Sequence, residues 1–80
     1  MIIDTDKIQF TWTTNTKEHS IDLTINNHIV GRVCRNYETE YRPFEAFSFL
    51  THQMKTFEHG DDAKQHLEFS IKEWLDSLSN

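Results

Sequence analysis

The sequence predicts an α+β domain: a four-stranded antiparallel sheet, ordered β-β-β-β-α along the chain, with one C-terminal helix packed on one face. Three observations predict it. Segments of the first half alternate apolar and polar residues with the period of a half-buried strand. An asparagine pair separates two of these segments at hairpin distance. The last twenty residues or so change to the period of a helix that buries one stripe. Eighty residues make a single domain, 1–80, with no repeat, low-complexity segment or Gly/Ser/Pro linker dividing it.

The first strand is expected at about 7–14, in "KIQFTWTT", where Ile8, Phe10 and Trp12 share one side and Gln9, Thr11 and Thr13 the other. "NTKEHS" is the polar turn that ends it. The second strand, at about 20–26, alternates again, with Ile21, Leu23 and Ile25 facing in and Asp22, Thr24 and Asn26 facing water. The third is expected at about 29–36, in "IVGRVCRN". Asn26 and Asn27 tolerate positive φ, so a tight hairpin joins the two. A two-residue loop opposes Ile25 to His28 and Ile21 to Arg32. A three-residue loop opposes Ile25 to Ile29 and Ile21 to Val33, and is preferred because it pairs apolar with apolar. Gly31 marks a bulge or the close approach of the helix.

The segment "RPFEAFSFL", Arg42 to Leu50, is read as a fourth strand at about 43–50. A turn through "THQM" and a short extended run to Phe57 follow it. The alternative is a second helix over 43–57, giving β-β-β-α-α, since Pro43 suits a first helical turn and Phe44, Phe47, Leu50 and Met54 make a passable stripe. The helix at about 61–79 is the clearest element. Ala63, Leu67, Ile71, Trp74, Leu75 and Leu78 form one stripe at helical spacing, Asp61 and Asp62 suit its N-terminus, and Phe57 can fold over the first turn.

One helix covers one face of a sheet, yet aromatics point both ways. In a strand reading, Phe44, Ala46, Ser48 and Leu50 share one face, while Glu45, Phe47 and Phe49 share the other. The second face has no intramolecular cover, and exposed apolar patches usually mark an interface. On the helix, Phe69 sits about 200° around from Leu67, among Asp62, Gln65, Glu73 and Asp76. A phenylalanine ringed by carboxylates has the form of a docking anchor; the alternative is an exposed ring without a role. The expected partner-binding residues are therefore Phe69 with Asp62, Glu73 and Asp76, then Phe47 and Phe49 with Glu45.

Charge supports that direction. Residues 1–36 carry four acids and four bases, whereas 37–80 carry nine acids against four bases, giving the formal net charge of −5. An acidic half disfavours polyphosphate partners and favours a basic protein surface, although modest acidity also serves solubility alone. No apolar run approaches the length needed to span a bilayer, so no membrane partner is expected. The opening "MIIDTDKIQF" carries two aspartates and no basic cluster, unlike a signal or transit peptide. Cys34 is the only cysteine, which suits a reducing compartment.

Chemistry finds little footing. His52, His59 and His66 are evenly spaced, but no Cys pair or His-x₃-His pattern accompanies them, so no metal and no cofactor are expected. Cys34 lies within a strand pattern and reads as a packed side chain rather than a nucleophile. With no nucleophile–base pair or phosphate loop, no catalytic residue is assigned and the expected protein is not an enzyme. Single-stranded nucleic acid is the alternative ligand. Trp12, Phe47 and Phe49 would serve as stacking platforms, and Arg32, Arg35 and Arg42 as a small basic stripe.

The order of three alternating strands, "IVGRV", "FEAFSFL" and then "KTFEHGDDAKQHLEFSIKEWL" resembles small acidic single-domain proteins of phages and prophages, of the anti-CRISPR type. The resemblance rests on Phe57, Ala63, Lys64, Glu68, Trp74 and Leu75, which are structural positions, and it carries over no binding residue. It implies a non-enzymatic inhibitor in the cytoplasm of a host cell, bound to a basic surface of a larger protein or ribonucleoprotein complex. A homodimer joined through the uncovered sheet face is a further expectation.

Overall fold

The structure is a computed structural model, and it describes residues 8–78. Strands β1 (Thr11–Asn15), β2 (Ser20–Ile25), β3 (His28–Arg35), β4 (Phe44–Ser48) and β5 (Met54–Phe57) precede one helix, α1 (Gly60–Leu78). The strands pair in chain order, each antiparallel to the next, in one sheet. The fold is thus α+β with a C-terminal helix, but the sheet has five strands, not four. The segment expected as an extended run to Phe57 pairs with β4, Phe44 opposite Phe57 and Phe47 opposite Met54. The alternative second helix over 43–57 is excluded, because that segment forms β4 and β5.

Sidedness follows from the register. Gly31 lies opposite Leu23 and Ser48, and Val33 opposite Ile21 and Ala46. All of these face α1. Leu23, Val30, Val33 and Ala46 meet Ala63, Leu67 and Ile71 of the helix in one small core. Trp12, Phe44, Phe57 and Leu75 pack around it, half-buried. The stripe expected on the helix is fully buried only at Ala63, Leu67 and Ile71. Leu78 is exposed; nineteen helical residues run about 28 Å at 1.5 Å each, longer than the five-residue strand β4 beneath them.

The β2–β3 hairpin corrects the expected turn. Asn26 and Asn27 form a two-residue loop with φ of 51° and 67°, so Ile25 opposes His28. Positive φ at both positions is the mark of a turn whose twist matches the strands it joins. Farther down, Thr24 opposes Ile29 but Leu23 opposes Gly31, leaving Val30 as the extra residue of a β-bulge. The bulge restores the pairing of Ile21 with Val33, the apolar register for which the longer loop was preferred. Val30 is buried, and its carbonyl accepts a hydrogen bond from the Phe49 amide at 3.0 Å.

Gly31 serves both of its expected purposes: it adjoins the bulge, and the helix comes close to it. A Cβ there would lie 2.6 Å from Leu67 Cδ2, well inside contact distance. Asp61 and Asp62 occupy the first turn of α1, where carboxylates meet the positive end of the helix dipole. The Phe57 ring lies against His66, centroids 5.1 Å apart.

Candidate functional site: two opposite surfaces

The residues expected to bind a partner fall on two opposite sides of the molecule. Phe69 lies on the face of α1 turned from the sheet and is 61% exposed. Glu73, four positions from it along the helix, and Asp62 and Asp76, each seven away, are exposed on the same side, since those spacings share a helix face. An acidic collar thus surrounds a ring whose apolar area is in water.

Phe47, Phe49 and Glu45 belong to the outer face of the sheet, opposite α1. Phe47 and Phe49 pack edge to face with centroids 5.0 Å apart and planes at 77°, a favoured aromatic geometry. Phe49 stays 36% exposed, and Phe47 and Glu45 are half-buried. Met54 opposes Phe47 in the next strand and is exposed, as is Ile29. Among the described residues no element lies over this face.

At its centre is a polar network that the alternation pattern had turned toward water. Asp22 is only 3% exposed. Arg32 Nε–H donates to its Oδ1 at 2.8 Å and Nη2–H to its Oδ2 at 3.4 Å. Asn15 Nδ2–H donates to Oδ2 at 2.9 Å, and the Ser20 hydroxyl to Oδ1 at 3.1 Å. The Arg32 guanidinium then lies 5.5 Å over the Phe49 ring, a cation–π distance. The hydrogen bond from Arg32 holds the Asp22 carboxyl below the usual carboxylate range, outweighing the opposing cost of burial. Arg32 is held further toward its charged form by the same bond.

The stacking arrangement considered for nucleic acid is not assembled. Trp12 faces α1, donating from Nε1–H to Glu68 Oε2 at 3.3 Å with Lys64 Nζ 5.6 Å over its ring, so it lies on the other side of the sheet from Phe47 and Phe49. Arg32 and Arg35 are three apart in one strand and point to opposite faces. Arg35 sits over Phe44 and Tyr37, at 5.7 and 5.1 Å, and Arg42 over Tyr41, at 5.5 Å. The three arginines therefore form no stripe.

Sequence reasoning missed Tyr37 and Tyr41, which are 81% and 72% exposed. They sit on the loop between β3 and β4, closed at its base by the Asn36 amide donating to the Pro43 carbonyl. It also missed the Asp22–Arg32 pair, although the register of Ile21 opposite Val33 already sets Asp22 opposite Arg32.

Cys34 is half-buried on the outer face, and burial pushes its thiol up, away from thiolate reactivity. Among the described residues no group of three His, Cys, Asp or Glu side chains is arranged to hold a metal ion, and His52, His59 and His66 do not converge. No helix among them is long and apolar enough to cross a membrane. Among the described residues, one depression in the surface is lined by Thr11, Thr13, Thr24 and Ile29 and another by Ser48, His66, Ser70 and Glu73. No protein-family model matches the chain, and no curated protein or solved structure is significantly similar to it.

Proposed function

We propose that the chain is a non-enzymatic interaction protein, an inhibitor of the anti-CRISPR type, that binds a basic surface of a larger nucleic-acid-handling complex in the cytoplasm of a host cell. The observation that carries the reading is Phe69, 61% exposed and collared by Asp62, Glu73 and Asp76. The acids steer a basic partner into contact, and the ring supplies the area whose burial holds it. A solvated helix face gains nothing from a phenylalanine, so its presence there fits contact rather than folding.

Capture from an extract of the source cells, with the purified chain as bait, tests this. Phe69→Asp is expected to leave the thermal midpoint within about 4 °C of the parent, because exposed substitutions usually change stability by less than about 0.5 kcal/mol, and to lose the captured partner. The same partner retained by Phe69→Asp, or a large fall in the midpoint, overturns the reading. Single-stranded oligonucleotide is the competing ligand, with the outer sheet face as its platform. A shift of labelled oligonucleotide at low salt that fades steeply as salt rises would favour it instead.

A further inference from the structure

We propose that the free edge of β5 takes up an extended peptide as an added strand, one that carries an acidic and a basic side chain two residues apart. The inference stands apart from the reading given to Phe69 and needs neither that ring nor its partner.

The first support is the backbone. Among the described residues β5 pairs only with β4. The Ser48 amide donates to the Gln53 carbonyl at 3.0 Å, and Ala46 opposite Lys55 lies two residues along the same register. Hydrogen-bonded and open pairs alternate in an antiparallel ladder, so Gln53, Lys55 and Phe57 direct their backbone groups at β4. Met54 and Thr56 direct theirs away from the sheet. Each of those two offers an amide and a carbonyl to an added strand, the mode by which sheet edges bind extended peptides.

The second support is the space beside that edge. α1 follows β5 after a short turn and packs on the same side of the sheet as Ala46. Between helix and strand lies a cleft of about 470 Å³, lined by Ser48, Gln53, Lys55, His66, Ser70 and Glu73. Lys55 opposes Ala46 and so faces the same way. A strand added to β5 therefore turns every second side chain into the cleft.

The third support is charge. Lys55 Nζ lies 5.7 Å over the Phe57 ring, which itself lies against His66, so Lys55 marks the His66 end. Burial first, and then Lys55, disfavour a proton on His66, which leaves Lys55 as the cation there. Glu73 stands seven residues farther along α1, about 10 Å away, with Ser70 between. Neither Lys55 nor Glu73 has an ion-pair partner among the described residues. A carboxylate opposite Lys55, and a basic side chain about 7 Å along the peptide reaching toward Glu73, complement both ends. A wholly acidic or wholly basic segment would set a like charge against one of them. A second copy of β5, "MKTF", brings no acid to Lys55.

Fluorescence anisotropy with a labelled seven-residue peptide is the test: threonine at both ends, glutamate third, lysine fifth and valine between. The parent is expected to bind it saturably. Lys55→Glu and Glu73→Lys are each expected to weaken binding about tenfold or more while circular dichroism stays unchanged. The double variant is expected to recover binding to the peptide whose glutamate and lysine are exchanged. With glutamate opposite Lys55 in an antiparallel strand, the fourth amide of the peptide meets the Met54 carbonyl, and N-methylation of that amide should abolish binding. Phe69→Ala should leave it unchanged. No saturable binding by the parent overturns the proposal and leaves Lys55 as a charge that keeps sheet edges apart. Binding undiminished in a folded Lys55→Glu or Glu73→Lys, or by the N-methyl group, overturns it too. Because the readout is titration of a defined peptide rather than capture from an extract, its failure leaves the Phe69 reading standing, and the reverse holds too.

Discussion

Gly31→Ala is the sharpest test of how α1 sits on the sheet. The added Cβ would lie 2.6 Å from Leu67 Cδ2, 3.0 Å from Cγ and 3.2 Å from Cδ1. Turning Leu67 about Cβ–Cγ leaves Cγ where it is, and turning it about Cα–Cβ carries all three atoms into the surrounding packing. Leu67 is also fully enclosed, with no open space to enter. Relief therefore requires the helix to lift, thinning contacts at Ala63 and Ile71 as well. Overpacking of this sort costs about 1–3 kcal/mol. Gly31 does not have positive φ, so alanine is not strained in the backbone and recovers about 0.4–1 kcal/mol by restricting the unfolded chain. The net expectation is a loss of about 1–2 kcal/mol, or about 5–15 °C in midpoint for a domain of this length. Thermal and urea denaturation followed by circular dichroism measure it. Leu67→Ala alone should cost about 2–5 kcal/mol, and the double variant should lose clearly less than the sum, because the new methyl fills part of the space the leucine leaves. A Gly31→Ala protein as stable as the parent, or strict additivity with Leu67→Ala, would refute the close approach.

Four further outcomes follow from other parts of the fold. Gly60→Ala should change stability by less than about 0.5 kcal/mol in a urea titration, since its Cβ would meet only the half-buried Phe44 ring, at 3.3 Å, and alanine favours the helix it enters. Asp22→Asn should cost about 1–3 kcal/mol by removing charge-assisted hydrogen bonds. In the parent, the stability that Asp22 contributes is present above its ordinary value of 3.8 and lost as pH falls through its depressed folded value; midpoints measured from pH 6 to 2 should show less acid sensitivity in Asp22→Asn. His66 is held below its ordinary 6.5 by burial first and then by Lys55, so folding disfavours its protonated form and stability declines as pH falls through 6.5; in His66→Gln that part of the decline between pH 7.5 and 5.5 should vanish. Asn27→Gly should raise the midpoint by a few degrees, because glycine takes the φ of 67° at less cost than asparagine in a two-residue hairpin.

The parts of this fold that could be read from sequence are those in which one side chain decides one side. Ala63, Leu67 and Ile71 fall on one helical stripe, and Ala46 and Ser48 against Phe47 and Phe49 fit the two faces of a strand, although Pro43 and the stripe of Phe44, Phe47, Leu50 and Met54 left a helix over 43–57 open. The fifth strand was harder to see, since "MKTF" is short and lies at the sheet edge, paired only to β4 among the described residues. The hairpin turn was misjudged because pairing rules count residues and assume a regular ladder, whereas Val30 adds one. Asp22 was assigned to water because alternation reports the face but not what else stands on it. Asn15, Ser20 and Arg32 come from three strands, and only the assembled sheet brings them to one carboxylate. Tyr37 and Tyr41 gave no periodic signal, being in a loop.

The extra residue at Val30 has a consequence for how this chain can change. It separates two counts: the tip, from Ile25 to Ile29, follows the asparagine turn, while everything from Leu23 and Gly31 downward follows the helix. A single-residue gain or loss between turn and bulge can be absorbed where the ladder is already broken, without exchanging the inner and outer sides of the sheet. The hairpin tip is thus the place where length can drift while both broad surfaces of the molecule keep their composition.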